Sequence, residues 1–223
     1  ERAAPGGGKE EEMADFELLR ELTQAWGVAG REKEVRAIIK RELAGLADDF
    51  YEDNIGNLIA VKHGTGGESG KKIMLCAHMD EVGLQVKKIE SDGRIRVCKV
   101  GWVWTAALYN DQVVFQNGTI GVVGCCGNIE EAKNDCGKLY IDIGCTTKEE
   151  TEKYVKVGDY CGFVGPWYEL QGDRISTKTF DDRAGCFLLL EALKQNEGKG
   201  PNDVYYVFSV QEEVGCRGAV AAA

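Results

Sequence analysis

Three polar clusters carry the residue types that metal-assisted acid–base chemistry requires: His78-Met79-Asp80, Asp181-Asp182 and Glu212-Glu213. A neutral imidazole is a good ligand for Zn²⁺ or Co²⁺. A ligating histidine usually donates its other ring N–H to a carboxylate. Asp80 lies two residues beyond His78, on the same side of an extended chain, and is placed to orient it. Asp181 can bridge two cations through its two oxygens. Of the adjacent pair Glu212 and Glu213, one can ligate while its neighbour takes a proton from water. Taken singly, each cluster has a plainer reading: a hydrogen-bonded core histidine, a helix cap, a solvated acidic loop. Their joint placement against apolar segments is what points to a metal centre.

Those segments must do the positioning. Ile73 to Ala77 is a continuous apolar run, expected as a strand buried on both faces, and it delivers His78 at its C-terminal end. Val204 to Val210 is expected as a second strand and delivers Gln211-Glu212-Glu213 in the same way. Asp181 to Gly185 opens a helix carrying Phe187 to Leu190 and Leu193, with Asp182 suited to the positive end of its dipole. Ligands of open α/β sheets bind beyond the carboxyl ends of strands, so the three clusters are expected to converge on one sheet edge.

Upstream, Phe16, Leu18, Leu19, Leu22 and Trp26 form an apolar stripe at helical spacing, ended by Gly27 and Gly30. Val35, Ile38, Ile39, Leu43 and Leu46 form a second, from about Glu32. Two short strands are expected around Asn54 to Asn57. Gly64 to Gly70 lacks the Gly-Lys-Ser/Thr ending of a phosphate loop and reads as a flexible loop, with His63 exposed at its edge. Between residues 87 and 171 the texture changes. Ile95–Val97, Val113–Phe115, Ile120–Val123, Leu139–Ile143 and Tyr160–Val164 are short β-rich segments with Gly and Asn punctuation. Such spacing predicts a small barrel or sandwich. Lys148 to Lys156 is expected as a surface helix or loop. The fold class is therefore α/β, a sheet with flanking helices, divided into 13–86 and 172–223, with an inserted all-β domain at 87–171. Residues 1–12, low in apolar content, read as a tag or read-through ahead of the helix beginning at Met13.

The chain has 223 residues and a formal net charge of −10, from 27 Lys and Arg against 37 Asp and Glu. No dense basic patch is present, which argues against nucleic acid as a partner, and no apolar run is long enough to span a bilayer. The nine cysteines are read as reduced and structural in a cytoplasmic setting, with Cys76, Cys186 and Cys216 expected as buried thiols. Only two histidines are present, His63 and His78, so none is left to activate a catalytic thiol.

The strings His78-Met79-Asp80-Glu81-Val82-Gly83, Phe180-Asp181-Asp182-Arg183-Ala184-Gly185 and Gln211-Glu212-Glu213-Val214-Gly215 resemble those of the glutamyl/deblocking aminopeptidases, also called TET aminopeptidases, some once labelled endoglucanases. Leu139 to Gly144 and Lys156 to Asp159 match as well, and the likeness runs from about Met13 to Ala219. It implies a zinc-exopeptidase-like fold and a dinuclear centre of Zn²⁺ or Co²⁺. It implies that His78 binds one metal, Asp181 bridges both, Glu213 binds the second, Glu212 is the general base and Asp80 orients His78. It further implies a cis bond between Asp181 and Asp182, peptide substrates with a free N-terminus, and dimers that assemble into dodecamers through the β domain. Two departures accompany it. The family has a further Asp and a further His ligand downstream, so the chain is expected to be C-terminally truncated and inactive alone. Val100 to Asn110 also differs from the family's usual text. The alternatives are a dinuclear carboxypeptidase, amidase or deacylase on the same fold, or a non-catalytic assembly protein. A glycoside hydrolase is disfavoured, because neighbouring side chains on an extended chain, such as Glu212 and Glu213, point apart.

Overall fold

The structure, a computed structural model, describes residues 9–133 and 135–223. Residues 1–8 of the expected tag lie outside the described residues. Helix α1 (Lys9–Gln24) begins ahead of Met13, taking in the last residues of that segment. It buries Leu18, Leu19 and Leu22, whereas Phe16, counted in the same stripe, is 48% exposed. Helix α2 (Lys33–Leu43) buries Val35, Ile39 and Leu43, spaced four apart on one face. Its first turn holds Glu34 and its last turn Lys40 and Arg41, the charge order that the helix dipole favours.

Strands β1 (Asp49–Glu52) and β2 (Leu58–Lys62) form an antiparallel hairpin. Its turn is made by Asp53, whose Oδ1 accepts the N–H groups of Ile55, Gly56 and Asn57 at 3.1, 2.9 and 2.9 Å. Strand β3 (Lys72–His78) follows. The Gly-rich loop before it is tied down rather than free, with Thr65 N–H on Gly200 O and Gly66 N–H on Pro201 O.

A closed six-stranded barrel comes next: β4 (Gly83–Ile89), β5 (Ile95–Val100), β6 (Gln112–Phe115), β7 (Ile120–Cys125), β8 (Leu139–Asp142) and β9 (Tyr160–Phe163), in the order β4-β5-β8-β7-β6-β9. Inward positions, among them Leu84, Val86, Ile95, Val97, Phe115 and Ile141, fill its interior. Ile89 joins them although it is an odd number of residues from Val86, because a register shift between Val86 and Lys88 resets the alternation. Helices α3 (Ile129–Ala132) and α4 (Lys148–Thr151) are single turns between barrel strands.

A two-stranded ribbon, β10 (Tyr168–Leu170) with β11 (Arg174–Ser176), leads into α5 (Phe180–Gln195), then β12 (Asp203–Ser209) and α6 (Arg217–Ala222). The sheet of the α/β part has the order β1-β2-β12-β3. Its core packs Leu22, Ile39 and Leu190 of the helices against Leu58, Met79 and Phe208 of the sheet side.

Strand β3 departs from the expectation of a strand buried on both faces. It lies at the sheet's edge with only β12 beside it, and Ile73 and Met74 are 39% and 41% exposed. For the same reason Cys76 is exposed. Cys216, in the loop after β12, is exposed too, and of the three thiols expected to be buried only Cys186 is. All nine cysteines are free.

Candidate metal centre

Strands β3 and β12 run parallel and in register, with His78 opposite Ser209. Their C-terminal ends therefore meet, and Met79 N–H continues the ladder onto Ser209 O at 2.8 Å. Beyond this point the chain turns sharply on both sides. Asp80 is fully buried, and its Oδ1 and Oδ2 accept the backbone N–H groups of Glu212 (3.0 Å) and Glu213 (3.1 Å). The same carboxylate stands 3.4 Å from His78 Nδ1, which also lies 3.1 Å from the Asp80 carbonyl. Both contacts hold the imidazole by Nδ1 and leave Nε2 facing the cluster.

The third cluster arrives on α5. The Asp181–Asp182 peptide bond is cis, and both residues have non-helical dihedrals, so the helix proper starts at Arg183. Asp182 then sits as its cap, with Oδ1 accepting Gly185 N–H at 3.1 Å while Oδ2 accepts His78 N–H at 3.2 Å. A Cβ at position 185 would collide with the Asp182 carboxylate, so a larger residue there would displace that carboxylate from the cap. With Asp182 committed to backbone, Asp181 turns the other way. Its Oδ1 lies 3.1 Å from His78 Nε2, and its side chain is 87% exposed.

His78, Glu212 and Glu213 each offer a ligand atom within 4.8 Å of the others'. Glu212 Oε2 is 3.7 Å from His78 Nε2. Glu212 and Glu213 do not point apart, as an extended chain would make them. Gln211 has a left-handed φ of 56°, and Gly215 N–H returns to Glu212 O at 2.8 Å, so the pair sits in a turn. All five residues singled out from the sequence, His78, Asp80, Asp181, Glu212 and Glu213, thus meet at one place. His63 does not. It is exposed beside Asp49 and Asp203, at the opposite end of β12.

Charge in the cluster is unbalanced in the direction a cation would correct. Burial works against a charge on His78, but the Asp80, Asp182 and Glu212 carboxylates overcome it and raise its pKa to about 9. Glu213 is pushed up to about 6 by burial, with Asp80, Asp181 and Glu212 adding repulsion that His78 only partly offsets. Imidazole nitrogen and carboxylate oxygen are the donor set of Zn²⁺ and Co²⁺. The residues present therefore fit a divalent metal. The exposed Cys216 thiol donates to Glu212 Oε1 at 3.1 Å and is held above its usual pKa by that contact, so it is no thiolate nucleophile.

Behind the cluster lies a charged group that was not singled out beforehand. Glu81 is 3% exposed and accepts Lys178 Nζ, and Arg183 Nη2 lies 3.7 Å from it. Arg183, fully buried, also donates to the carbonyls of Leu22 and Ala25 at the end of α1. Glu81 and Arg183 do stand inside the motif strings, directly after Asp80 and Asp182, and that adjacency was the available signal. A cleft of about 330 Å³ opens beside the cluster, lined by Asp181 and Glu213 together with Val82, Trp102 and Phe163.

The sequence and the fold are similar to those of known proteins. A putative aminopeptidase of Acetivibrio thermocellus is 44% identical over 216 residues, 96% of this chain and 63% of its own length. An aminopeptidase from the archaeon Desulfurococcus kamchatkensis superposes with a TM-score of 0.87 at 37% identity, over 96% of this chain and 60% of that one. The TET1 peptidase of Pyrococcus horikoshii, which can assemble into a tetrahedron or a large octahedral shell, gives 0.81 at 36% identity, over 93% of this chain and 64% of that one. The chain thus spans less than two thirds of the length of these relatives. Residues 56–223, which include all three polar clusters and the whole barrel, match the M42 glutamyl aminopeptidase model, and the chain belongs to that family.

Proposed function

We propose that this chain forms the metal-binding part of an aminopeptidase that removes N-terminal residues from peptides with a free N-terminus, using two divalent ions, Zn²⁺ or Co²⁺. The observation that carries the reading is the meeting of His78, Glu212 and Glu213 from the ends of two strands far apart in sequence, with Asp181 alongside. His78, Asp181 and Glu213 would hold the ions. Bound divalent ions supply Lewis-acid polarisation of the scissile carbonyl and make water acidic near neutral pH. Glu212, half-exposed at the cluster's rim, accepts the proton of the attacking water and passes it to the leaving amine. Asp80 orients His78 and fixes both glutamates. The substrate's free N-terminus would sit near the ions and the acidic groups, which makes the enzyme an exopeptidase. The names of the relatives, aminopeptidases, support the same reading.

In this reading residues 13–86 and 172–223 form the catalytic part. Residues 87–171, which hold all of the barrel except the first residues of β4, form an oligomerisation domain, in keeping with the shell built by the Pyrococcus horikoshii relative. The protein works in the cytoplasm as a homo-oligomer. Among the described residues no helix is long and apolar enough to cross a membrane.

The test is metal per chain by elemental analysis, on protein prepared in Zn²⁺ or Co²⁺ beside Asp181→Asn. About two ions per chain, reduced in the variant, is the expected result. Protein that binds no metal under either condition overturns the reading for this chain. Glu212→Gln separates roles: metal is retained at the wild-type level, as expected of a base and not of a ligand.

A further inference from the structure

Where β12 ends, four successive backbone N–H groups leave the sheet and donate to side-chain oxygens instead. Val210 N–H goes to Asn57 Oδ1 (3.0 Å), Gln211 N–H to Glu32 Oε1 (3.2 Å), and those of Glu212 and Glu213 to Asp80 (3.0 and 3.1 Å). Asp80 belongs to the cluster already described. Glu32 comes from elsewhere, the entrance to α2, and no motif marks it.

We infer that Glu32 is a positioning residue for the metal centre, fixing the backbone of Gln211 and through it the aim of Glu212 and Glu213. Three observations converge. Glu32 occupies the cap position of α2, yet its side chain makes no hydrogen bond to the first turn of that helix. Its carboxylate turns back and accepts Gly30 N–H at 2.6 Å and Gln211 N–H at 3.2 Å from the same oxygen. Glu32 is also 3% exposed, and a carboxylate is not placed in the interior without cost unless its oxygens are used. Finally, the residue it holds is a non-glycine with a φ of 56°. Such a conformation persists only where the surroundings over-determine it.

Asn57 closes the base of the same loop, taking Val210 N–H and donating to Gly218 O at 2.8 Å. Asp80 holds the crest. Glu32 supplies the link between them, at the residue where the chain changes direction. Without it, Gln211 is free to relax to negative φ, which swings the peptide preceding Glu212 and separates the two glutamate carboxylates from His78.

The consequence for metal binding rests on the metal-centre reading, while the holding of the loop does not, and the experiment separates the two. Amide hydrogen exchange over residues 210–214 of the metal-free chain and Zn²⁺ affinity by chelator competition are measured for the wild type, Glu32→Ala, Glu32→Gln and Glu32→Asp. Glutamine keeps an acceptor in place, so Glu32→Gln stays within about threefold of wild type in both readings, at the scale of one weakened hydrogen bond. Glu32→Ala exchanges at least about tenfold faster over 210–214. It also binds Zn²⁺ about 10- to 100-fold more weakly, the usual effect of losing a group that supports ligands. Should the alanine variant not fold, Glu32→Asp, one methylene short, shows the same two changes to a lesser degree. Wild-type exchange and affinity in Glu32→Ala or Glu32→Asp overturn the inference, and so does a glutamine variant as impaired as alanine. Wild-type protein that binds no Zn²⁺ sinks the metal-centre reading, while the exchange comparison still decides the role of Glu32.

Discussion

Lys178 Nζ donates to both carboxylate oxygens of Glu81, at 2.9 and 2.8 Å, across 97 residues of sequence. The pair joins the turn that carries His78 and Asp80 to the segment that carries Asp181 and Asp182. Burial lowers the pKa of Lys178 and the Glu81 carboxylate opposes that shift, so the two charges depend on one another. Glu81→Ala leaves Lys178 and Arg183 as uncompensated interior cations and orphans the Gly27 N–H that Glu81 accepts at 3.0 Å. The expected cost is about 3–5 kcal/mol, read as a shift of the urea midpoint. The double variant Glu81→Leu/Lys178→Met is expected to recover part of it, because no charge is then stranded against Lys178's former place.

Metal binding should be linked to protons. In the metal-free chain His78 has a pKa of about 9, so at neutral pH the ion must displace a proton from it. Zn²⁺ affinity should climb about tenfold per pH unit up to that value and then level off. Calorimetry in buffers of different ionisation enthalpy should show about one proton released at pH 7.5. Absence of release would contradict the assignment of His78 as ligand. The stability of the metal-free protein runs the other way. A raised histidine pKa stabilises fully below pH 6.5, and that contribution, at most a few kcal/mol, fades as pH rises through about 9. Chelator-treated protein should therefore lose urea resistance over this interval, and metal-loaded protein should not.

Asp80→Asn replaces one accepting oxygen by an N–H₂ that faces the backbone N–H of Glu212 or Glu213. One buried donor is then left unsatisfied, at a cost of about 1–3 kcal/mol. Zn²⁺ affinity should fall with it, by about 10- to 100-fold. A variant with wild-type affinity would show that Asp80 does not set the glutamate loop.

The barrel reaches the cluster at Gly101, just after β5. Its φ is +80°, and an added Cβ would lie 2.9 Å from Val82 Cγ1 and 3.1 Å from Glu213 Cβ. Gly118 has a similar φ of +85° with nothing near. Gly101→Ala and Gly118→Ala should share a backbone penalty of about 1 kcal/mol. Only Gly101→Ala should also weaken Zn²⁺ binding, and equal affinities in the two variants would refute contact between barrel and site.

What the residue pattern determined by itself was type and order. Period-two and period-3.6 apolar spacing marked the barrel strands and helices α1, α2 and α5, because alternation and helical stripes follow from local backbone geometry. The polar clusters were legible because each abuts such a segment directly. Coverage was not legible. Ile73, Met74 and Cys76 read as interior residues, yet lie on an edge strand, since apolar composition does not say how many neighbours a strand has. Phe16 shares a stripe with Leu19 and faces outward for a related reason: a stripe is wider than the surface that happens to cover it. The parallel register of β3 and β12, which sets His78 beside Ser209, arises from pairing between segments more than 130 residues apart, and no local rule encodes it. The same holds for Glu32 and Asn57. Their neighbours in sequence mark a helix entrance and a turn, and only the folded chain puts both against the loop that carries Glu212 and Glu213. Local spacing decided which residues have the right chemistry, and long-range pairing decided which of them can reach one another.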